Sequence, residues 1–173
     1  MELYFLRHGQ AGQRSAWVGD DALRPLTEAG RERMVQEATT MRKLGVAPEV
    51  IMTSPLARSR QTAEVVAEIL GLGTLVVEDD RLASGFSLDE LGGVLASHLK
   101  EGSSGASVML VGHEPDFSEI VGRLVGGADV LLKKGGLARV DLPARASFSG
   151  GSSRGLEGRG QLVWLLQPSV LAS

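Results

Sequence analysis

The sequence predicts a single α/β domain over residues 1–173, built on a mostly parallel, doubly wound sheet flanked by helices. Three observations predict it. Short apolar runs of strand length alternate with longer stretches of helical period. Three of those runs end abruptly on polar segments carrying arginine or histidine, the place where open α/β sheets bind ligands. A chain of 173 residues with 43% hydrophobic content is also long enough to bury one sizeable core.

The elements follow in order. Residues 3–6 form the first apolar run, in LYFLRHG, and stop at Arg7, His8 and Gly9. Further strand-like runs lie at 50–52, 75–77 and 108–111. Between them, 27–44, 55–70 and 87–100 read as helices. In the third, Leu88, Leu91, Leu95 and Leu99 line one face, and Ser87 with Glu90 makes an S-x-x-E capping box at its start. A fourth helix begins near Pro115, with Phe117, Ile120, Val121 and Leu124 as its apolar stripe. Strands alternating with helices require crossover connections, hence parallel pairing with helices on both faces. The end of the chain differs: strands at 137–142 and 162–166 are joined by PARASFSGGSSRGLEGRG, residues 143–160, without a helix. Its Gly and Ser content predicts a flexible loop rather than an arginine-bearing partner contact.

Composition narrows the function. A net charge of −3 argues against a nucleic-acid surface or a polybasic membrane patch. Of 18 cations only Lys43, Lys100, Lys133 and Lys134 are lysine. The arginine excess suits phosphate and carboxylate recognition, although coding bias produces the same skew. Cysteine is absent, which removes disulfides and thiolate chemistry. No run reaches membrane-spanning length and no secretory leader pattern opens the chain, so a soluble cytoplasmic protein is the expectation.

Three segments share one design: LYFLRHG, VIMTSPLARSRQTA and VMLVGHEP each run from an apolar strand into a polar element. In a parallel sheet, Arg7, His8, Arg58 and His113 would converge on one crevice. Arg58, about one turn into a helix starting near Pro55, would be joined there by the helix N-terminus. The natural guest of two arginines and two histidines is a phosphoryl group. With no cysteine, no phosphate-loop lysine motif and no carboxylate-rich metal site, the nucleophile left is a neutral imidazole. His8 would take the phosphoryl group and water would then remove it, with the cations stabilising the equatorial oxygens.

These residues carry a resemblance. LRHG at 6–9, SPLARSRQTA at 54–63 and GHEP at 112–115 resemble the histidine phosphatase superfamily, the phosphoglycerate mutase-like group. RPLTEAG at 24–30 and LLQP near the C-terminus are similar to its SixA-type phosphohistidine phosphatases. The resemblance implies a phosphoglycerate mutase-like fold, His8 as the phosphorylated nucleophile, and Arg7, Arg58 and His113, with Gly9, as the phosphoryl-binding set. It implies no metal and no organic cofactor, and a phosphorylated histidine-containing protein as substrate.

One departure is informative. Larger relatives of this type carry a glutamate acid after the third strand, where Ala83 and Ser84 stand here, and the insertion capping their site is missing. Asp89 and Glu90 follow at a capped helix start, a place where acids serve structure. Other residues have plain alternatives. Arg7 and His8 end a strand, Arg58 is a solvated helix arginine, and His113 marks a turn. His98 is read as structural and Ser54 as a helix cap. The loop 10–25, with Trp17, Asp20 and Asp21, is equally a solvated connection or a substrate-contacting lid, and Asp20 or Asp21 is a weak proton-donor candidate. The reading carried forward is a phosphohistidine phosphatase. Its alternatives are a small-molecule phosphomonoesterase of the same superfamily and a non-catalytic phospho-binding module.

Overall fold

The structure, a computed structural model, describes residues 1–72, 75–99, 105–143 and 155–172. Its strands are β1 (Glu2–Arg7), β2 (Val50–Thr53), β3 (Val76–Glu78), β4 (Ser107–Gly112), β5 (Leu137–Asp141) and β6 (Gln161–Leu166). Its α-helices are α1 (Glu28–Lys43), α2 (Ala57–Leu70), α3 (Leu88–His98), α4 (Asp116–Leu124) and a short α5 (Pro168–Leu171). The strands form one six-stranded sheet in the order β3-β2-β4-β1-β5-β6. The first four strands pair in parallel and the last two antiparallel.

Burial of β1 on both faces explains why its apolar run is unbroken. Leu3 and Phe5 face one core with Leu91 and Leu95 of α3 and Phe117 and Ile120 of α4. Tyr4 and Leu6 face the other, with Met34 and Met41 of α1 and Val65 and Val66 of α2. A central parallel strand is buried on both faces and so shows no polar alternation. Local signals set the helix ends. The Thr27 hydroxyl accepts from Gly30 N at 3.0 Å at the start of α1, and the Ser87–Glu90 box opens α3 as expected. Gly71, in the left-handed conformation, closes α2.

Some boundaries move. β3 begins at Val76 rather than Leu75, and α2 begins at Ala57, two residues past Pro55. Ser54 is not the cap of α2: the N-cap is Leu56, which offers no side-chain acceptor. The helix α5 was not visible in the sequence, because four residues are too few to show a period; Leu171 nevertheless enters the second core. Residues 144–154 of the predicted flexible loop, with Arg145 and Arg154, lie outside the described residues.

The register places the strand ends. Arg7 pairs with Gly112 across β1 and β4, and Thr53 pairs with Val111 across β2 and β4. The residues that follow, His8, His113 and Ser54, therefore emerge within one residue of the same level. His8 N donates to Gly112 O at 3.0 Å and Ser54 N to Val111 O at 3.0 Å.

Gly112 is required where β4 passes under α4. A Cβ there would stand 2.6 Å from Phe117 Cζ, well inside van der Waals contact. Gly112→Ala should lower stability by roughly 1–3 kcal/mol, the usual cost of overpacking, measured as an earlier urea midpoint. Adding Phe117→Leu should recover part of the loss. An unchanged midpoint for Gly112→Ala would contradict this packing.

Candidate active site

The strand ends bring His8 and His113 together, and Arg58 of α2 and Arg7 lie near enough for their charges to act on both rings. All but Arg7 are nearly buried: His8 is 7% exposed, His113 3% and Arg58 6%. The two imidazoles lie with ring centroids 5.2 Å apart and planes at 58°. His8 Nδ1 is 2.7 Å from Gly9 O. A carbonyl oxygen only accepts, so Nδ1 carries the proton and Nε2 keeps the lone pair. That is the tautomer a nitrogen nucleophile needs.

Burial also keeps both rings neutral. His8 is pushed down to about 3, chiefly by loss of water, with His113, Arg58 and Arg7 adding repulsion against the Gly9 hydrogen bond. His113 is pushed down to about 4, again by burial first and then by Arg58 and Arg7. The His113 Nε2 lies 2.8 Å from Ser54 Oγ and 3.4 Å from Ser59 Oγ. Ser54 thus holds the ring of His113, the role its position before α2 concealed.

The cations are held from the protein side. Arg7 Nη1 donates to Leu132 O at 2.8 Å, and Arg58 Nη1 donates to Asp21 O at 3.0 Å. The Nε of each is buried with no partner among the described residues. Guanidinium N–H groups that the protein leaves unengaged beside a neutral imidazole can grip oxyanion oxygens. α2 adds an N-terminus without a side-chain cap. Gly9 is packed tightly beside His8: its N–H donates to Thr62 Oγ1 at 3.0 Å, and a Cβ there would lie 2.7 Å from Met34 Cγ.

The other carboxylates and His98 fall into distinct places. His98 Nε2 meets Asp79 Oδ2 at 2.9 Å, in a cluster that Arg81 completes on the same carboxylate. Glu90 Oε2 accepts from Ser87 N at 2.9 Å and completes the capping box. Asp20 Oδ1 accepts from Ala22 N at 2.9 Å and caps a turn. Asp21 Oδ2 lies 3.3 Å from Arg58 Nη1, and Arg24 holds its carboxyl below the usual range. It stays ionised and is a poor proton donor at neutral pH. The Ala83–Gly85 turn brings no acid; Gly85 N donates to Asp116 Oδ2 at 2.8 Å. Glu114 is the residue the sequence reading passed over. Burial pushes its carboxyl up, against hydrogen bonds from Ser118 and the charge of Arg7, and its Oε1 is buried without a partner among the described residues. Among the described residues no group of three or more His, Cys, Asp or Glu side chains could hold a metal ion.

This fold and crevice define the class: an α/β protein with paired imidazoles and arginines gathered in one crevice. A family model for the histidine phosphatase superfamily (branch 1) matches residues 3–85. An uncharacterized protein of Picosynechococcus sp. is 39% identical over 143 residues, covering 79% of this chain and 82% of its own. Escherichia coli GpmB, named a 'probable phosphoglycerate mutase', is 33% identical over 85 residues, which is 47% of this chain and 37% of that protein. Among solved structures, the protein histidine phosphatase SixA complexed with tungstate superposes with a TM-score of 0.79 at 23% identity over 98% of each chain. A SixA-type protein from Agrobacterium tumefaciens gives 0.75 at 25% identity, over 96% of this chain and 97% of that one. The chain belongs to the histidine phosphatase superfamily and is by that membership a phosphatase-class hydrolase.

Both buried imidazoles should stay neutral through the whole neutral range. In an NMR titration, the signals of His8 and His113 should keep neutral-form shifts from pH 8 down to about 5, with midpoints near 3 and 4. Because an unfolded histidine takes up its proton near ~6.5, these two groups cost stability as pH falls below that value toward their folded midpoints, and cost nothing above it. Midpoints near 6.5 in the folded protein would contradict the burial argument.

Proposed function

We propose that this protein hydrolyses protein-borne phosphohistidine through a covalent phosphoryl intermediate on His8. The observation that carries the proposal is the state of His8: buried, neutral, its Nδ1 tied to the Gly9 carbonyl at 2.7 Å, and its Nε2 lone pair left for chemistry. In the first step that lone pair forms the P–N bond while the bond to the leaving group breaks with its electron pair. Arg7 and Arg58 hold the phosphoryl oxygens as charge spreads over them. His113 is neutral in the free site; a bound dianion raises its affinity for a proton, which it then shares with a phosphoryl oxygen. In the second step water attacks phosphorus, the bond to His8 breaks, and the imidazole and inorganic phosphate are released, the water proton passing to phosphate.

The leaving group decides the substrate. An alkoxide needs a proton as it departs, whereas a protonated phosphohistidine ring leaves as neutral imidazole. The turn at Ala83–Gly85 supplies no carboxyl, and Asp21 is held ionised by arginines, which favours a P–N substrate. The similar fold of SixA, solved with the oxyanion tungstate, supports the same reading.

Glu114 favours a second reading. A carboxyl raised by burial beside Arg7 is a proton source, and with it the protein would be a small-molecule phosphomonoesterase.

The two readings predict opposite substrate orders. The expected order of kcat/KM is a phosphohistidine-bearing protein first, nitrophenyl phosphate second, and alkyl or sugar phosphates last, with Glu114→Gln changing the first by less than about threefold. Faster turnover of a sugar phosphate than of phosphohistidine, lost in Glu114→Gln, would replace this proposal with the phosphomonoesterase.

A further inference from the structure

The loop between β1 and α1 is tied to the crevice more firmly than a solvated connection requires. Ala11 and Leu26 form a β-bridge at its base. Leu26 N donates to Gln61 Oε1 of α2 at 2.8 Å. Across the loop, Arg24 Nη1 donates to Gly12 O, and at the tip Trp17 Nε1 donates to Asp20 O at 2.9 Å. The centre of this arrangement is Asp21. Arg24 Nε donates to Asp21 Oδ1 at 2.8 Å. The other face of Asp21 meets Arg58 twice at one nitrogen: Nη1 lies 3.0 Å from the main-chain oxygen and 3.3 Å from Oδ2. The side chains of Arg24 and Arg58 are 10% and 7% exposed.

We infer that Asp21, braced by Arg24, is a positioning residue that anchors Nη1 of the Arg58 guanidinium and so aims the remaining N–H groups of its fork at the phosphoryl group. The inference rests on the proposed reaction, and it adds a specific division of labour to it. A guanidinium is planar, so fixing Nη1 fixes the direction of every other N–H on the fork. Asp21 takes Nη1 by two acceptors, and the buried Nε remains without a partner among the described residues. An arginine held this way loses little freedom when charge develops, which is where orientation contributes to rate. The carboxylate also acts against simple attraction: a negative charge beside Arg58 weakens its pull on any anion. The two effects have opposite signs, and so they can be separated.

If Asp21 positions Arg58, Asp21→Asn should lower kcat for nitrophenyl phosphate roughly tenfold or more while KM stays level or falls, because ground-state attraction rises as orientation is lost. Asp21→Glu should recover part of kcat. Arg24→Gln should shift kcat in the same direction by a smaller factor. In an Arg58→Lys background, Asp21→Asn should change kcat less than threefold, since the fork it orients is gone. The direct readout is the Arg58 Nε–H resonance, slow to exchange in the wild type and averaged in Asp21→Asn. An unchanged Nε–H signal, an unchanged kcat, or the same loss with and without the Arg58 fork would overturn the inference. A wild-type protein without phosphatase turnover would overturn the proposed reaction instead, and the Nε–H signal would still decide the placement of Arg58.

Discussion

The shared register of three parallel strands, whose ends fall within one residue of each other, is the constraint on which everything else depends. β1 and β4 end together at Arg7 and Gly112, and β2 ends one pair earlier, at Thr53 opposite Val111. Because each strand hands over to a polar residue within one residue of that height, His8, His113 and Ser54 share one crevice without any long loop to bring them there. A slip of one residue in β1 would exchange its two core faces and turn His8 away from His113. The two cores therefore do more than stabilise: they lock the register that makes the site.

Burial then sets the chemistry. Imidazoles in water would be partly charged at neutral pH, and a protonated His8 has no lone pair to offer. Loss of solvent and the nearby arginines push both rings well below that range. The same arginines that would grip the phosphoryl oxygens thus add to burial in keeping the proposed nucleophile neutral. Balance comes from Asp21, whose charge is spent on Arg24 and Arg58 rather than on protons.

Much of this was legible in the sequence because the signals are local. The apolar runs, the Ser87–Glu90 box and the three strand-end segments each occupy a few adjacent residues, and together they give the sheet and the four residues of the crevice. What was not legible depends on contacts across the fold. Ser54 reads as a helix cap because it precedes α2, yet its hydroxyl faces a histidine 59 positions away. Asp21 looks like one of two adjacent acids in a polar loop, and only the folded loop sets it 37 positions on, against Arg58. Glu114 hides inside the GHEP segment, since neither its burial nor its nearness to Arg7 leaves a mark on composition. The short α5 has too few residues to show a period.

The central claim is that His8 is a neutral, buried nucleophile that carries the phosphoryl group between substrate and water. The measurement that tests it most directly is rapid acid-free quenching of the enzyme during turnover of a phosphohistidine protein, followed by mass spectrometry of its peptides. The account predicts an acid-labile phosphoryl group on the peptide containing His8, formed and lost at rates no slower than turnover, and absent from His8→Ala. Turnover at the wild-type rate with no phosphoryl group on His8, or the same turnover by His8→Ala, would contradict it.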